Sequence, residues 1–114
     1  MEDNMAFDKD EILKRFDGEK EFLAELVEIF MHDIPEQLSE IKKAVDNRNS
    51  KGLERSAHKL KGAVANFEEK AAFEVALQLE MMGRENRLDG VKETYDTLVN
   101  EVECLVNALK EFVE

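Results

Sequence analysis

The sequence predicts an all-α protein: an antiparallel four-helix bundle with a short additional N-terminal helix. Three observations carry this. Apolar residues recur at spacings of three and four through four long segments, the pattern of a helix with one buried stripe. Breakers are scarce, with 1 Pro and 5 Gly in 114 residues, and aromatics make up only 7%, a balance that favours helix over sheet. The connections are short and polar, which sets consecutive helices side by side and antiparallel. The length suits a single domain over residues 1–114, with one modest core and no deep cleft between domains.

Asp8 is placed to cap a short helix through about Phe16, with Ile12, Leu13 and Phe16 on its apolar side. The stretch DGEK breaks it, with Gly18 at the turn. The next helix runs from about Glu19 to Asn47 on a stripe of Phe22, Leu26, Phe30, Ile34, Leu38, Ile41 and Val45. Pro35 removes the bond to the Met31 carbonyl and predicts a kink over Met31–Pro35, with a split into two helices as the alternative. DNRNSKG reads as a turn. A third helix buries Leu53, Ala57, Leu60, Val64 and Phe67, and a fourth, Lys70 to Arg87, buries Ala72, Val75, Leu79 and Met82. After Asn86, Asp89 and Gly90, a last helix from Val91 to Phe112 carries Val91, Tyr95, Leu98, Val102, Leu105, Leu109 and Phe112. The chain shows no internal repeat and no low-complexity segment.

With 43% hydrophobic and 38% charged residues the composition is that of a globular protein. A formal net charge of −11 argues against nucleic acid as a partner, since phosphate binding needs a basic footprint. One cysteine, Cys104, makes neither an internal disulfide nor a cysteine metal cluster, and a free thiol suits a reducing cytoplasm. The acidic N-terminus MEDNMAFDKD does not read as a signal peptide, and no apolar run approaches a membrane span.

Against this acidic background, residues 51–66 hold Lys51, Arg55, Lys59 and Lys61 with Glu54 as the one acid. His58 lies off the buried stripe of the third helix. Its neighbours at three and four residues are Glu54, Arg55, Lys61 and Gly62, with Lys51 and Ala65 one turn further out. Such a basic island is placed to meet an acidic or phosphorylated partner. Gly62 costs a helix roughly 0.5–1 kcal/mol relative to Ala. Either it leaves the His58 ring open to an incoming group, or it lets another helix pack closely.

If the third and fourth helices form a hairpin turning at FEEK, residues equidistant from residue 69 lie level, and Glu80 comes opposite His58. A carboxylate there accepts a hydrogen bond from Nδ1–H and leaves Nε2 as the outward nucleophile. The competing reading of Glu80 is a solvated helix glutamate. His32, in MHDIP, belongs to no motif and reads as a surface residue. Two histidines without a cysteine or carboxylate cluster make no zinc site. Met81 and Met82 read as core or rim filler, and the acidic faces of the second, fourth and fifth helices as solvated surface.

AHKLKGAVANF resembles the motif of histidine phosphotransfer (HPt) domains, an Ala-His pair followed by x-Leu-Lys-Gly and small residues. The likeness extends over nearly the whole chain, through GEKEFLAELVEIF, LEMMG and the final amphipathic helix. The family resemblance implies His58 as phosphoacceptor, Lys61 holding the phosphoryl charge, Gly62 giving access and Glu80 orienting the ring. Contacts to partners are expected from Lys51, Arg55, Lys59, Ala65 and Arg84. One departure is Glu68, where the family often has Gly or another small residue.

The implied role is a monomeric cytoplasmic phosphocarrier, without kinase activity, between the receiver domain of a hybrid sensor histidine kinase and that of a response regulator. Nε2 attacks a phosphoaspartate in line through a loose, charge-rich transition state. No cofactor is expected on this chain, with Mg²⁺ supplied by the receiver, and no phosphate-binding Gly-rich loop is visible. The rival readings are a non-phosphorylated helical adaptor docking through the same basic face and a phosphohistidine-handling enzyme.

Overall fold

A computed structural model of the chain describes residues 9–67 and 69–113. Among the described residues five α-helices follow one another: α1 (Lys9–Arg15), α2 (Lys20–Asp46), α3 (Ser50–Ala65), α4 (Lys70–Arg84) and α5 (Val91–Leu109), the last continued by a 3-10 turn, Lys110–Phe112. α2 packs on α3, α3 on α4, α4 on α5 and α5 back on α2, closing a four-helix ring in which the α3–α4 interface is the most extensive. Its helices are antiparallel: Ser50 Oγ donates to Asn86 Oδ1, Arg84 reaches Glu54, and Glu80 reaches His58. The chain is an all-α antiparallel bundle with a short leading helix.

The core is built from the inward stripes. Ile12, Leu23, Ile41, Leu53, Leu60, Leu79, Leu98, Leu105 and Leu109 are fully or almost fully buried, each such side chain contributing roughly 1.5–3 kcal/mol by leaving water. Phe30 and Phe67 meet edge-to-face at 5.2 Å and join α2 to the end of α3.

Several local expectations are corrected. In the first half of α2 the buried residues are Leu23 and Val27; Leu26 is partly buried and Phe22 is 49% exposed, its ring 5.7 Å from Phe16. Steps 22-26-30 and 23-27-30 both fit a helix, and the neighbours select the second. Leu38 likewise packs at the rim, beside buried Ile41, Ala44 and Val45. α2 runs through Pro35 as the one helix expected, and the alternative split into two is not found.

Ser50, Lys51 and Gly52 form the first turn of α3 instead of a loop, because Asn49 caps it, its side chain accepting from Gly52 N at 3.0 Å; such a cap is worth about 1 kcal/mol. α4 stops at Arg84, three residues early, where Asn86 takes φ 54° and the Asn86 and Arg87 amides donate back to the Gly83 and Met82 carbonyls. On α4, Ala76 is buried where Val75 is only partly so; Tyr95 on α5 and Phe112 on the 3-10 turn that follows it are partly buried. The Tyr95 hydroxyl donates to the Leu38 carbonyl at 3.3 Å, tying α5 to α2. Gly18, at φ 73°, closes the turn after α1, its amide 2.7 Å from the Leu13 carbonyl. The expected cap Asp8 and the departure at Glu68 lie outside the described residues.

Candidate functional site

α3 presents His58 to solvent because Ala57 and Leu60 on either side are anchored in the core. The His58 side chain is 67% exposed, while the Glu80 side chain opposite it on α4 is 4% exposed. Nδ1 of His58 lies 3.1 Å from Oε2 of Glu80. The same oxygen accepts from Arg84 Nη2 at 2.9 Å, and Oε1 lies 2.8 Å from Lys61 Nζ. Glu80 is thus a buried carboxylate with a ring nitrogen and two cations around it.

Burial pushes the Glu80 carboxyl up, yet contacts from Lys61 and His58, with the charges of both, outweigh burial and hold it below its ordinary value. It is ionised at neutral pH and accepts only. Facing such an acceptor, Nδ1 of the neutral ring carries the proton and Nε2 is the basic nitrogen. Nε2 has no hydrogen-bond partner among the described residues. The arrangement therefore offers an oriented nucleophile at an open surface, with a carboxylate behind it to offset positive charge developing on the ring.

The Lys61 ammonium sits between Glu80 and the Phe73 ring, 5.9 Å from the ring centroid. At Gly62 an added Cβ would meet nothing within 4 Å, so no helix packs there and the close-contact alternative for this glycine is removed. The glycine that does permit close packing is Gly83, where a Cβ would fall 2.7 Å from both Glu54 N and Ser50 O.

The structure gathers His58, Lys61, Glu80 and Arg84 into one cluster with Gly62 open beside it. It does not gather the whole expected partner-contacting set. Arg55 and Lys59 line a polar cleft toward α2 with Lys43, Asn47 and Ser56. Ala65 borders a separate, more apolar groove with Phe73 and Leu77. Lys51 is exposed on the first turn of α3, and Arg84 is held by Glu54 and Glu80. His32 and Cys104 are exposed, Met82 is buried and Met81 lies at the rim. Among the described residues no cluster of His, Cys, Asp or Glu is arranged to hold a metal ion, and no helix is long and apolar enough to cross a membrane.

Sequence reasoning did not single out Glu54, whose Oε2 lies 2.9 Å from Arg84 Nε. The signal was available: the mirror about residue 69 that pairs 58 with 80 also pairs 54 with 84. Phe73 under Lys61 and Gly83 against Glu54 had no such signal.

Comparison with known proteins bears on what such a site is for. Residues 25–111 match the family model described as Hpt domain. The chain is 27% identical over 106 residues to a phosphorelay intermediate protein, rdeA, from Dictyostelium discoideum, an alignment that covers 93% of this chain. The chain spans 42% of the length of that relative. No solved structure matches it significantly.

Proposed function

The chain belongs to the Hpt domain family, and from that premise we propose that it is a histidine phosphocarrier of a phosphorelay. His58 takes a phosphoryl group from the phosphoaspartate of one receiver domain and passes it to another. The observation that supports this reading above all is the pairing of exposed His58 with buried, ionised Glu80 at 3.1 Å, which turns a free Nε2 outward.

In the forward step the Nε2 lone pair forms the N–P bond as the P–O bond to the aspartyl carboxylate breaks, and the carboxylate leaves. The proton on Nδ1 stays where it is, and the positive character gained by the ring is offset by Glu80. Lys61, held within the same cluster, lies next to the charge that the phosphoryl oxygens bring. Gly62 leaves the approach to the ring uncovered. Mg²⁺ and its ligands belong to the receiver, so this chain supplies the acceptor nitrogen and its orientation but no kinase activity. The partners are the receiver of a hybrid sensor histidine kinase and that of a response regulator, met by a cytoplasmic monomer through a surface that includes Lys51, Arg55, Lys59, Ala65 and Arg84.

A receiver charged with radiolabelled phosphate should label the chain on an acid-labile, base-stable site, and His58→Gln should remove all of the label. Label that persists in His58→Gln overturns the proposal. Receiver binding without any transfer to the unaltered protein would favour the adaptor reading instead.

A further inference from the structure

We propose that Glu54 is a positioning residue for His58, acting through Arg84 and Glu80. This rests on the phosphocarrier reading for its effect on transfer, but not for its effect on the ring.

The demands on Glu80 Oε2 are the starting point. It accepts from both His58 Nδ1 and Arg84 Nη2, at 3.1 and 2.9 Å, while Oε1 is ion-paired with Lys61 at 2.8 Å. A guanidinium is a planar fork that prefers to grip one carboxylate with two parallel N–H groups. Gripped in that way, Glu80 would have less of Oε2 to give to His58. With Oε1 paired to Lys61, a second N–H of Arg84 could only crowd Oε2; Glu54 takes Nε at 2.9 Å and Nη1 lies 3.6 Å from Met81 Sδ, so the fork spans two carboxylates and spends only Nη2 on Glu80. Of the influences that raise Arg84 above its ordinary value, the hydrogen bond to Glu54 is the largest.

Backbone packing fixes this geometry. Gly83, the residue before Arg84, lies against the Glu54 backbone so closely that a Cβ would come within 2.7 Å of Glu54 N. Arg84 therefore starts from a fixed point beside Glu54. The charged groups around His58 are Glu54, Arg55 and Lys61 on its own helix and Glu80 and Arg84 on α4.

The test reads the tautomer of the neutral His58 ring from its ¹⁵N shifts, with exposed His32 as internal reference. Glu54→Gln should shift the ratio from the Nδ1–H toward the Nε2–H form by roughly two- to five-fold, the scale of a partly exposed ion pair. In an Arg84→Met background the same substitution should change nothing. Transfer from a charged receiver should slow by a similar factor with receiver affinity unchanged. An unmoved tautomer ratio in Glu54→Gln overturns the proposal, as does an equal shift without Arg84, which would mean direct action through space. Failure of the unaltered protein to accept phosphate would instead sink the phosphocarrier reading, leaving the tautomer result to stand.

Discussion

The α3–α4 hairpin holds two buried glutamates, one capping α4 and one within it, and they behave in opposite ways. Glu69, at the turn, and Glu80, eleven residues on, are each 3% exposed. At Glu69 burial is the largest influence, and with Glu101 nearby it pushes the carboxyl above its ordinary value although Ala72 N donates to it at 2.6 Å. At Glu80 burial pushes the same way and is overcome by Lys61 and His58. Burial thus prevails at Glu69, which lies deeper among protein atoms and serves as a helix cap, and is overcome at Glu80, where cations reach the carboxylate. A buried charge on a bundle helix persists only where the opposite charge is brought to it.

Forcing the helices apart at one end of this comparison is expected to have the largest effect. Gly83→Ala places a Cβ 2.7 Å from backbone atoms of α3, and overpacking of this kind costs about 1–3 kcal/mol. Urea denaturation should show that loss, and the His58 tautomer should shift with it, while the amide of Ala72, capped by Glu69, keeps its hydrogen-exchange protection.

Neutralising each carboxyl comes next. Glu80→Gln removes the counter-charge of Lys61 and Arg84 and should cost about 1–2 kcal/mol at pH 7, less than a fully buried pair because both cations reach solvent. Glu69→Gln keeps a capping oxygen and removes a buried charge, so stability at pH 7 should hold or rise. The two also impose opposite slopes with pH. The lowered Glu80 contributes stability that is full above the ordinary value of 4.5 and lost as pH falls through its folded value. The raised Glu69 favours the folded chain below 4.5, and that contribution is lost as pH rises through its folded value. Melting temperatures across an acid pH series should separate the two slopes, each vanishing in its own Gln variant; slopes of one sign at both sites would break the comparison.

The smallest effect is expected at Gly62, the open counterpart of Gly83. Gly62→Ala should stabilise the bundle by about 0.5–1 kcal/mol in the same denaturation experiment. Gly62→Gln should leave it folded and slow phosphotransfer, and an unchanged transfer rate would refute the access argument.

Much of this architecture was legible in the sequence. The stripes on α3 and α5 required no knowledge of the neighbours, because each had one apolar face. The hairpin mirror about residue 69 set Glu80 opposite His58, and applied once more would have set Arg84 opposite Glu54. α2 was less legible: Phe22 and Leu23 are both apolar, and both continue a helical stripe to Phe30. The rotation was settled by what α2 packs against, which buries Leu23 and leaves Phe22 beside Phe16 at the surface.

By itself the sequence determined the fold class and the His-x-x-Lys-Gly constellation, because periodicity and spacing are properties of a single helix, and the level pairing followed once α3 and α4 formed a hairpin. Only the tertiary structure decided which glycine is open and which is packed, and which buried glutamate is pushed above its ordinary value and which is held below it. A glycine in a helix costs the same wherever it lies, and a carboxyl is pushed up by burial wherever it is buried. What separates Gly62 from Gly83, and Glu69 from Glu80, is the neighbour that the other helix brings within a few ångströms.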